Sequence, residues 1–183
     1  YFDVPGASEQ KTIFHEYFHA VQLAHISSED RDERNELKGP IWFHEGGAEY
    51  MAQYGSREAH LSGTLQKVKV EGRWPFVFEE KMEQKMGHGL EKMLSACPGI
   101  SMKDISYENR CDGAGYDIGA WAHAYLANKF GHDVLLDTYY ANLDELGWED
   151  AFLRTYSMTS EAFYAEFETF LELPLSEQIA ILP

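Results

Sequence analysis

The sequence has few basic residues: 15 Lys and Arg stand against 31 Asp and Glu, which gives a formal net charge of −16. A surface of this charge repels phosphate backbones and anionic membranes, so the composition argues against nucleic acid as a partner. No apolar run approaches the roughly 20 residues that a membrane-spanning helix needs. We therefore expect neither a nucleic-acid partner nor a membrane span.

Strand patterns are also scarce, because apolar residues rarely alternate with polar ones outside the ambiguous Val68-Lys69-Val70. Apolar residues instead recur at helical intervals, and this pattern predicts helices over residues 61–70, 76–93, 134–143, 148–156 and 162–173. No internal repeat or linker divides the 183 residues. We therefore predict one mainly α-helical domain over residues 1–183.

Cysteine is nearly absent, since Cys97 and Cys111 are the only two. They do not have the spacing of a zinc site. They would form one disulfide in an exported protein and remain thiols in the cytosol, and the sequence leaves this choice open. The first residue, Tyr1, is not methionine, which would suit removal of a signal peptide. We expect an exported protein, periplasmic or extracellular.

What the sequence does contain is His15-Glu16-Tyr17-Phe18-His19. In a helix, residues four apart lie on one face, so both imidazoles can bind the same ion. Glu16 is displaced around the helix, where it can reach a water on that ion without being a ligand. This arrangement suits metal-assisted hydrolysis. The alternative is a pair of core histidines hydrogen-bonded to the backbone, beside a solvated Glu16.

The pattern around this motif predicts a helix over residues 9–24 with Ser8 as its cap. The helix carries enough apolar side chains to be buried on nearly all sides, namely Ile13, Phe14, Tyr17, Phe18, Val21 and Leu23. Two imidazoles and a carboxylate are costly to bury alone, and a cation is the partner that serves all three.

A third ligand is expected, because catalytic zinc usually has three protein ligands and a water. The segment Trp42-Phe43-His44-Glu45-Gly46-Gly47-Ala48-Glu49-Tyr50 follows Gly39-Pro40, a turn that can start a helix. Glu45 and Glu49 share one face of that helix, so one can bind the metal while the other lies behind it. Spacing alone leaves open which of the two is the ligand.

The residues on either side of Glu45 have different expected roles. His44 points about a quarter-turn away on the helix, so we expect it beside the cleft and not on the metal. Gly46 and Gly47 lack side chains, and we expect them to let the two metal-binding helices approach closely.

The His-Glu-x-x-His motif and the downstream Trp-Phe-x-Glu-Gly-x-Ala-Glu-Tyr together resemble the gluzincin metallopeptidases, which include thermolysin, the membrane alanyl aminopeptidases and clostridial collagenases. The resemblance implies a peptidase with one Zn²⁺ per chain, held by His15, His19 and Glu45. It also implies that Glu16 is the general base and that Glu49 is the carboxylate that orients a ligand histidine. The implied fold is a zincin-like helical domain similar to the C-terminal lobe of thermolysin.

The segment Gly113-Ala114-Gly115-Tyr116-Asp117-Ile118-Gly119 predicts the start of another helix, which ends at Gly131. Tyr-x-x-Gly at the head of a late helix is similar to the aminopeptidase branch of the gluzincins, where that tyrosine stabilises the oxyanion. The resemblance implies this role for Tyr116. The alternative is one more aromatic side chain in a core. His123, two turns later, is expected to be a packed helix histidine.

The resemblance is specific over about residues 9–55 and general in style over about 115–173. Gluzincins usually carry a mixed β-sheet before the active-site helix, and this chain lacks it, so we expect either a piece of a longer protein or a site that dispenses with the sheet. The expected function is hydrolysis of a peptide or protein by metal-activated water. The alternative is a latent or non-catalytic domain that keeps the metal site and binds a protein. The sequence does not indicate an oligomeric state.

Overall fold

A computed structural model of the protein describes residues 7–65, 78–109 and 111–183. These residues are mainly helical and contain no strand, which confirms the predicted mainly α class. A turn of π-helix at Leu135–Tyr140 runs directly into the sixth helix. The α-helices in the described residues are α1 (Ala7–Ala24), α2 (Arg31–Leu37), α3 (Ile41–Leu61), α4 (Phe78–Ala96), α5 (Ala114–Phe130), α6 (Ala141–Tyr156), α7 (Ser160–Leu171) and α8 (Leu175–Ile179). None of them combines the length and apolar character needed to cross a bilayer.

Helix ends agree with the sequence where glycine or threonine marks them. α5 lies between Gly113 (φ 76°) and Gly131 (φ 95°), as predicted, and positive φ angles favour glycine. Thr159 caps α7, because its hydroxyl accepts a hydrogen bond from the Ala162 amide at 3.2 Å. α1 already begins at Ala7, so Ser8 lies inside the helix and the predicted cap is wrong.

The helix predicted over 61–70 is wrong in its described part, since α3 ends at Leu61 and residues 62–65 form a turn. Residues 66–70, which include the ambiguous 68–70, lie outside the described residues. The short helices α2 and α8 were not predicted from the sequence. α2 has no buried side chain, and its start is fixed by Asp30, whose carboxylate accepts from two backbone amides of the first turn.

Helix α3 runs through the centre of the fold. Trp42, in its first turn, is fully buried and stacks on Phe163 of α7 with ring centroids 5.2 Å apart. The Trp42 indole N–H donates to the Tyr164 hydroxyl at 3.0 Å. Buried aromatic pairs with satisfied polar atoms resist rotation of the helix, so this packing fixes the turn that carries Glu45.

Helices α3 and α5 cross in direct backbone contact at Gly46 and Gly119. A Cβ on Gly46 would lie 2.4 Å from Gly119 Cα, and a Cβ on Gly119 would lie 2.2 Å from the Trp42 carbonyl oxygen. A Cβ on Gly47 would lie 2.9 Å from Nε2 of His123, which is also on α5. The expectation that this glycine pair brings the two metal-binding helices together is therefore wrong, because the helix that approaches here is α5.

Helix α1 is buried on one side only. Its exposed apolar side chains are Ile13, Tyr17 and Leu23, at 59%, 69% and 41% exposure. Among the described residues its main neighbour is α3, so the expectation of burial on nearly all sides is wrong. The side that faces α3 includes the buried His15.

Cys97 and Cys111 form a disulfide, with their Cα atoms 5.4 Å apart. The bond closes the segment that joins α4 to α5. That segment includes a short 3₁₀ turn at Met102–Asp104 and, three residues later, Tyr107. The Tyr107 hydroxyl donates to Glu45 of α3, so the disulfide restrains a loop that contacts the central helix.

Candidate metal centre

Three side chains from α1 and α3 converge on one point. His19 Nε2 lies 3.0 Å from Glu45 Oε2 and 3.1 Å from His15 Nε2. His15 Nε2 lies 3.4 Å from the same Glu45 oxygen. We call His15, His19 and Glu45 the metal cluster, because their three ligand atoms are near enough to one another to hold a single ion.

His15 is oriented by Glu49, one turn beyond Glu45 on α3. His15 Nδ1 lies 3.1 Å from Glu49 Oε2, while its Nε2 faces the metal cluster. Burial disfavours the charged imidazole, but hydrogen bonds to Glu45 and Glu49 outweigh it and raise the pKa of His15 to about 9. Glu49 thus occupies the place expected of an orienting carboxylate, behind the ring and on the side away from the cluster.

His19 is oriented by Gln22, a residue that was not predicted from the sequence. His19 Nδ1 lies 2.6 Å from Gln22 Oε1, so it donates there and its Nε2 faces the cluster. The Gln22 amide donates to the His44 carbonyl at 2.9 Å and to the Tyr140 hydroxyl at 2.8 Å. Gln22 lies three residues after His19, on the same helix face, and this spacing is the signal that could have found it.

Glu45 is held by a tyrosine from outside the two helices. The Tyr107 hydroxyl donates to Glu45 Oε1, which leaves Oε2 for the cluster. Burial would raise the pKa of Glu45, but hydrogen bonds from His15, His19 and Tyr107 hold it well below the usual range, so the group is a carboxylate. Tyr107 was not predicted, because nothing in its polar surroundings marks it in the sequence.

Behind Glu49 lies a charge network of two buried carboxylates and three partly exposed lysines, which we define as Lys11, Glu49, Lys85, Lys92 and Asp117. Glu49 accepts from Lys11 at 2.8 Å and lies 2.6 Å from Lys85 Nζ. Lys85 also contacts Asp117 at 3.0 Å, and Lys92 contacts the other Asp117 oxygen at 3.0 Å. The network joins α1, α3, α4 and α5. Burial opposes ionisation of Glu49, but His15, Lys85 and Lys11 hold the pKa of Glu49 far below its usual range, so this partner of His15 is ionised.

His44 lies beside the cluster and not in it. Its ring centroid is 4.6 Å from that of His19, and its Nε2 is 4.0 Å from Glu45 Oε1. Burial, with the neighbouring His19, lowers the pKa of His44 to about 3, so the ring is neutral. The structure thus places His44 where the sequence predicted, next to the cleft.

Glu16 and Tyr116, the two residues predicted to act in the reaction, lie on different helices. Glu16 follows His15 on α1 and is exposed. Tyr116, at the head of α5, stacks over His15 with ring centroids 6.1 Å apart and planes 21° apart. His123 lies in the core, where its Nδ1 donates to the Gly119 carbonyl at 2.9 Å, which confirms it as a packed helix histidine.

The donor set of the cluster suits a zinc ion. Two imidazole nitrogens and a carboxylate oxygen are a common set for catalytic zinc, and bonds of about 2.0–2.2 Å in a tetrahedron place ligand atoms roughly 3.3–3.5 Å apart. The distances between the three donor atoms, 3.0, 3.1 and 3.4 Å, are close to that spacing. Each of the three side chains also has a hydrogen-bonding partner outside the cluster, as is usual for metal ligands.

Comparisons with known proteins found no relative of this chain. No family model, curated protein sequence or solved structure matches the chain. The gluzincin resemblance therefore stays a prediction from the two motifs, and the structural support for a function is the chemistry of the cluster.

Proposed function

We propose that this protein is a zinc-dependent peptidase of gluzincin type with a zincin-like helical fold. The observation that carries the proposal is the convergence of His15 Nε2, His19 Nε2 and Glu45 Oε2 within 3.0–3.4 Å of one another. The exposed Glu16, next in sequence to His15, supports a role in proton transfer, because water and substrate can reach it. The Cys97–Cys111 disulfide supports export.

In the proposed mechanism the side chains of the chain handle protons and orientation. Zinc, when bound, supplies a Lewis acid that polarises the scissile carbonyl and lowers the pKa of a water molecule. The Glu16 carboxylate takes a proton from the attacking water and passes it to the leaving amine. The Tyr116 hydroxyl donates to the oxyanion that develops on the scissile carbonyl. Glu49 and Gln22 keep the two ligand imidazoles in position.

The test separates the metal from the base. Metal analysis of the purified protein should find close to one zinc per chain. Glu16→Gln should keep that zinc and reduce peptide cleavage by roughly 10²- to 10⁴-fold, the usual contribution of a general base. Glu45→Gln should lose zinc and cleavage together. Glu145→Gln, the same change at an exposed position of α6, should alter neither.

Three outcomes would contradict the proposal. If the reconstituted protein holds no zinc, the cluster is not a metal site. If Glu16→Gln cleaves peptides as fast as the parent, Glu16 is not the general base. If the zinc-loaded parent cleaves no peptide, the domain binds metal without peptidase chemistry.

A further inference from the structure

A cleft of about 700 Å³ opens beside the metal cluster, between α2, the start of α3 and the disulfide-closed loop. Two of its lining residues contact the cluster directly. His44 packs on His19 with ring centroids 4.6 Å apart, and the Tyr107 hydroxyl donates to Glu45. When a peptide is bound at the cluster, one of its side chains near the cluster can therefore reach this cleft.

The lining of the cleft carries the opposite charge to the rest of the chain. Arg31, Lys38 and Lys103 line it together with one acid, Asp104. The chain as a whole has about two acids for every basic residue and a net charge of −16. Three cations against one acid give this lining a positive balance on a negative protein, and a positive balance attracts anionic ligands.

Two of these cations have no acidic partner among the described residues. Lys103 pairs with Glu161 at 3.1 Å, but Lys38 is within hydrogen-bond distance only of Asn35 Oδ1, at 3.5 Å, and Arg31 makes no ion pair. Arg31 is also the first residue of α2, where the helix dipole disfavours a positive charge. The helix dipole therefore does not stabilise the Arg31 charge, and this charge is available to a ligand in the cleft.

The cleft also has apolar lining. Pro40, Ile41 and Ile105 contribute to it, and both isoleucines are buried. An aliphatic stem that ends in a negative group matches a lining that combines apolar side chains with cations. Neutral polar side chains match it less well, since they would leave Arg31 and Lys38 without a counter-charge.

We propose that this cleft binds a carboxylate of the peptide substrate, and that Arg31 and Lys38 select for it. This inference rests on the proposed peptidase function and adds the substrate class: peptides with an acidic group close to the scissile bond. The carboxylate can come from a glutamate side chain or from a free C-terminus, and the experiment separates the two.

The experiment uses three labelled peptides of one length. The first carries an internal glutamate and an amidated C-terminus. The second carries glutamine there and a free C-terminus, and the third carries glutamine and an amidated C-terminus. Binding to the zinc-loaded protein is measured by fluorescence anisotropy, and cleavage is measured as kcat/KM.

We expect the first peptide to bind and react best. Arg31→Gln and Lys38→Gln should each weaken its binding and lower its kcat/KM roughly 5-fold, with little change for the third peptide, because each variant removes one charge-assisted contact. Arg154→Gln makes the same substitution at an exposed position of α6 outside the cleft, and it should change neither quantity. A preference for the second peptide that depends on the same two residues would assign the cleft to a C-terminal carboxylate.

The inference is overturned if all three peptides bind equally, or if Arg154→Gln weakens binding as much as Arg31→Gln. Its failure is distinct from failure of the proposed function. Cleavage without any preference for acidic peptides would remove the cleft assignment and keep the peptidase. Binding that depends on the acidic group of the peptide, without cleavage of any peptide, would keep the cleft assignment and remove the peptidase function.

Discussion

Gly46→Ala tests the backbone contact that fixes α3, the helix of Glu45, against α5. The new Cβ would lie 2.4 Å from Gly119 Cα, whereas carbon atoms pack at about 3.5–4.0 Å, so α3 and α5 must separate by about 1 Å. Overpacking of this kind costs about 1–3 kcal/mol, and a contact between two backbones lies at the upper end because neither side can rotate away. Alanine returns about 1 kcal/mol of helix propensity. We expect a net loss of about 2 kcal/mol in the free energy of unfolding.

The same change should weaken metal binding, because Glu45 precedes Gly46 on α3. Metal–ligand distances tolerate only about 0.2 Å, so a helix displaced by about 1 Å should reduce zinc affinity at least tenfold. Gly87→Ala is the matched control. Gly87 is also inside a helix, α4, but a Cβ there meets nothing within 4 Å, so this variant should gain about 0.5–1 kcal/mol and keep its zinc affinity.

The assay is equilibrium unfolding in urea with a chelator present, followed by circular dichroism and by tryptophan fluorescence, since Trp42 and Trp121 are fully buried. Zinc affinity is measured separately by competition with a chromophoric chelator. If Gly46→Ala is as stable as the parent, or gains stability as Gly87→Ala should, the close crossing of α3 and α5 is wrong.

Gln22, the disulfide and His123 each support a further test. Gln22→Leu leaves His19 Nδ1 without its acceptor, so zinc affinity should fall roughly 10- to 100-fold in a competition titration; unchanged affinity would remove Gln22 from the site. Cys97→Ser with Cys111→Ser should lower the free energy of unfolding by about 3 kcal/mol in urea and weaken peptide binding. Zinc affinity should fall but zinc should still bind, because the opened loop carries Tyr107, the partner of Glu45, and no cluster residue; complete loss of zinc would contradict this. Burial lowers the pKa of His123 from 6.5 to about 4, although a hydrogen bond to Gly119 opposes this shift. The unfolded chain therefore binds the proton more readily, and the stability of the folded protein falls as pH drops from about 6.5 towards 4. His123→Asn should remove roughly 2–3 kcal/mol of that loss between about pH 7 and pH 4.5 in chelator-treated protein, and equal pH dependence in parent and variant would refute the reasoning.

The parts of the site that the sequence could predict are those fixed by local helix geometry. His15 and His19 lie one turn apart on any helix, so their shared face follows from spacing alone. Glu45 and Glu49 are related in the same way, but their ranking is a tertiary property. The ranking depends on which carboxylate contacts Nδ1 of His15, the ring nitrogen that faces away from the cluster, and in the structure this carboxylate is Glu49.

The parts that could not be predicted depend on contacts between distant segments. Tyr107 reaches Glu45 only because the loop after α4 folds back over α3, and 62 residues separate the two in sequence. The residue that contacts Gly46 likewise depends on which helix crosses α3 at that point. A glycine in a helix indicates close approach, but the pattern around it does not say what approaches. The apolar residues of α1 overstate its burial because their helical spacing cannot show how many neighbours the helix has.

The charge network restrains how the helices align along their lengths. Apolar helix faces can slide past one another by one turn, about 5.4 Å, and still cover each other, so hydrophobic packing alone leaves several alignments close in energy. Such a slide would separate Lys85 from Glu49 and Asp117, now 2.6 and 3.0 Å away. Asp117 would then lose both of its α4 lysines and Glu49 would lose one of its two lysines, whereas breaking a fully buried pair costs about 3–5 kcal/mol. The charges therefore favour one register of α4 against α3 and α5, and in that register the lysine on α4 helps to keep Glu49, the partner of His15, ionised.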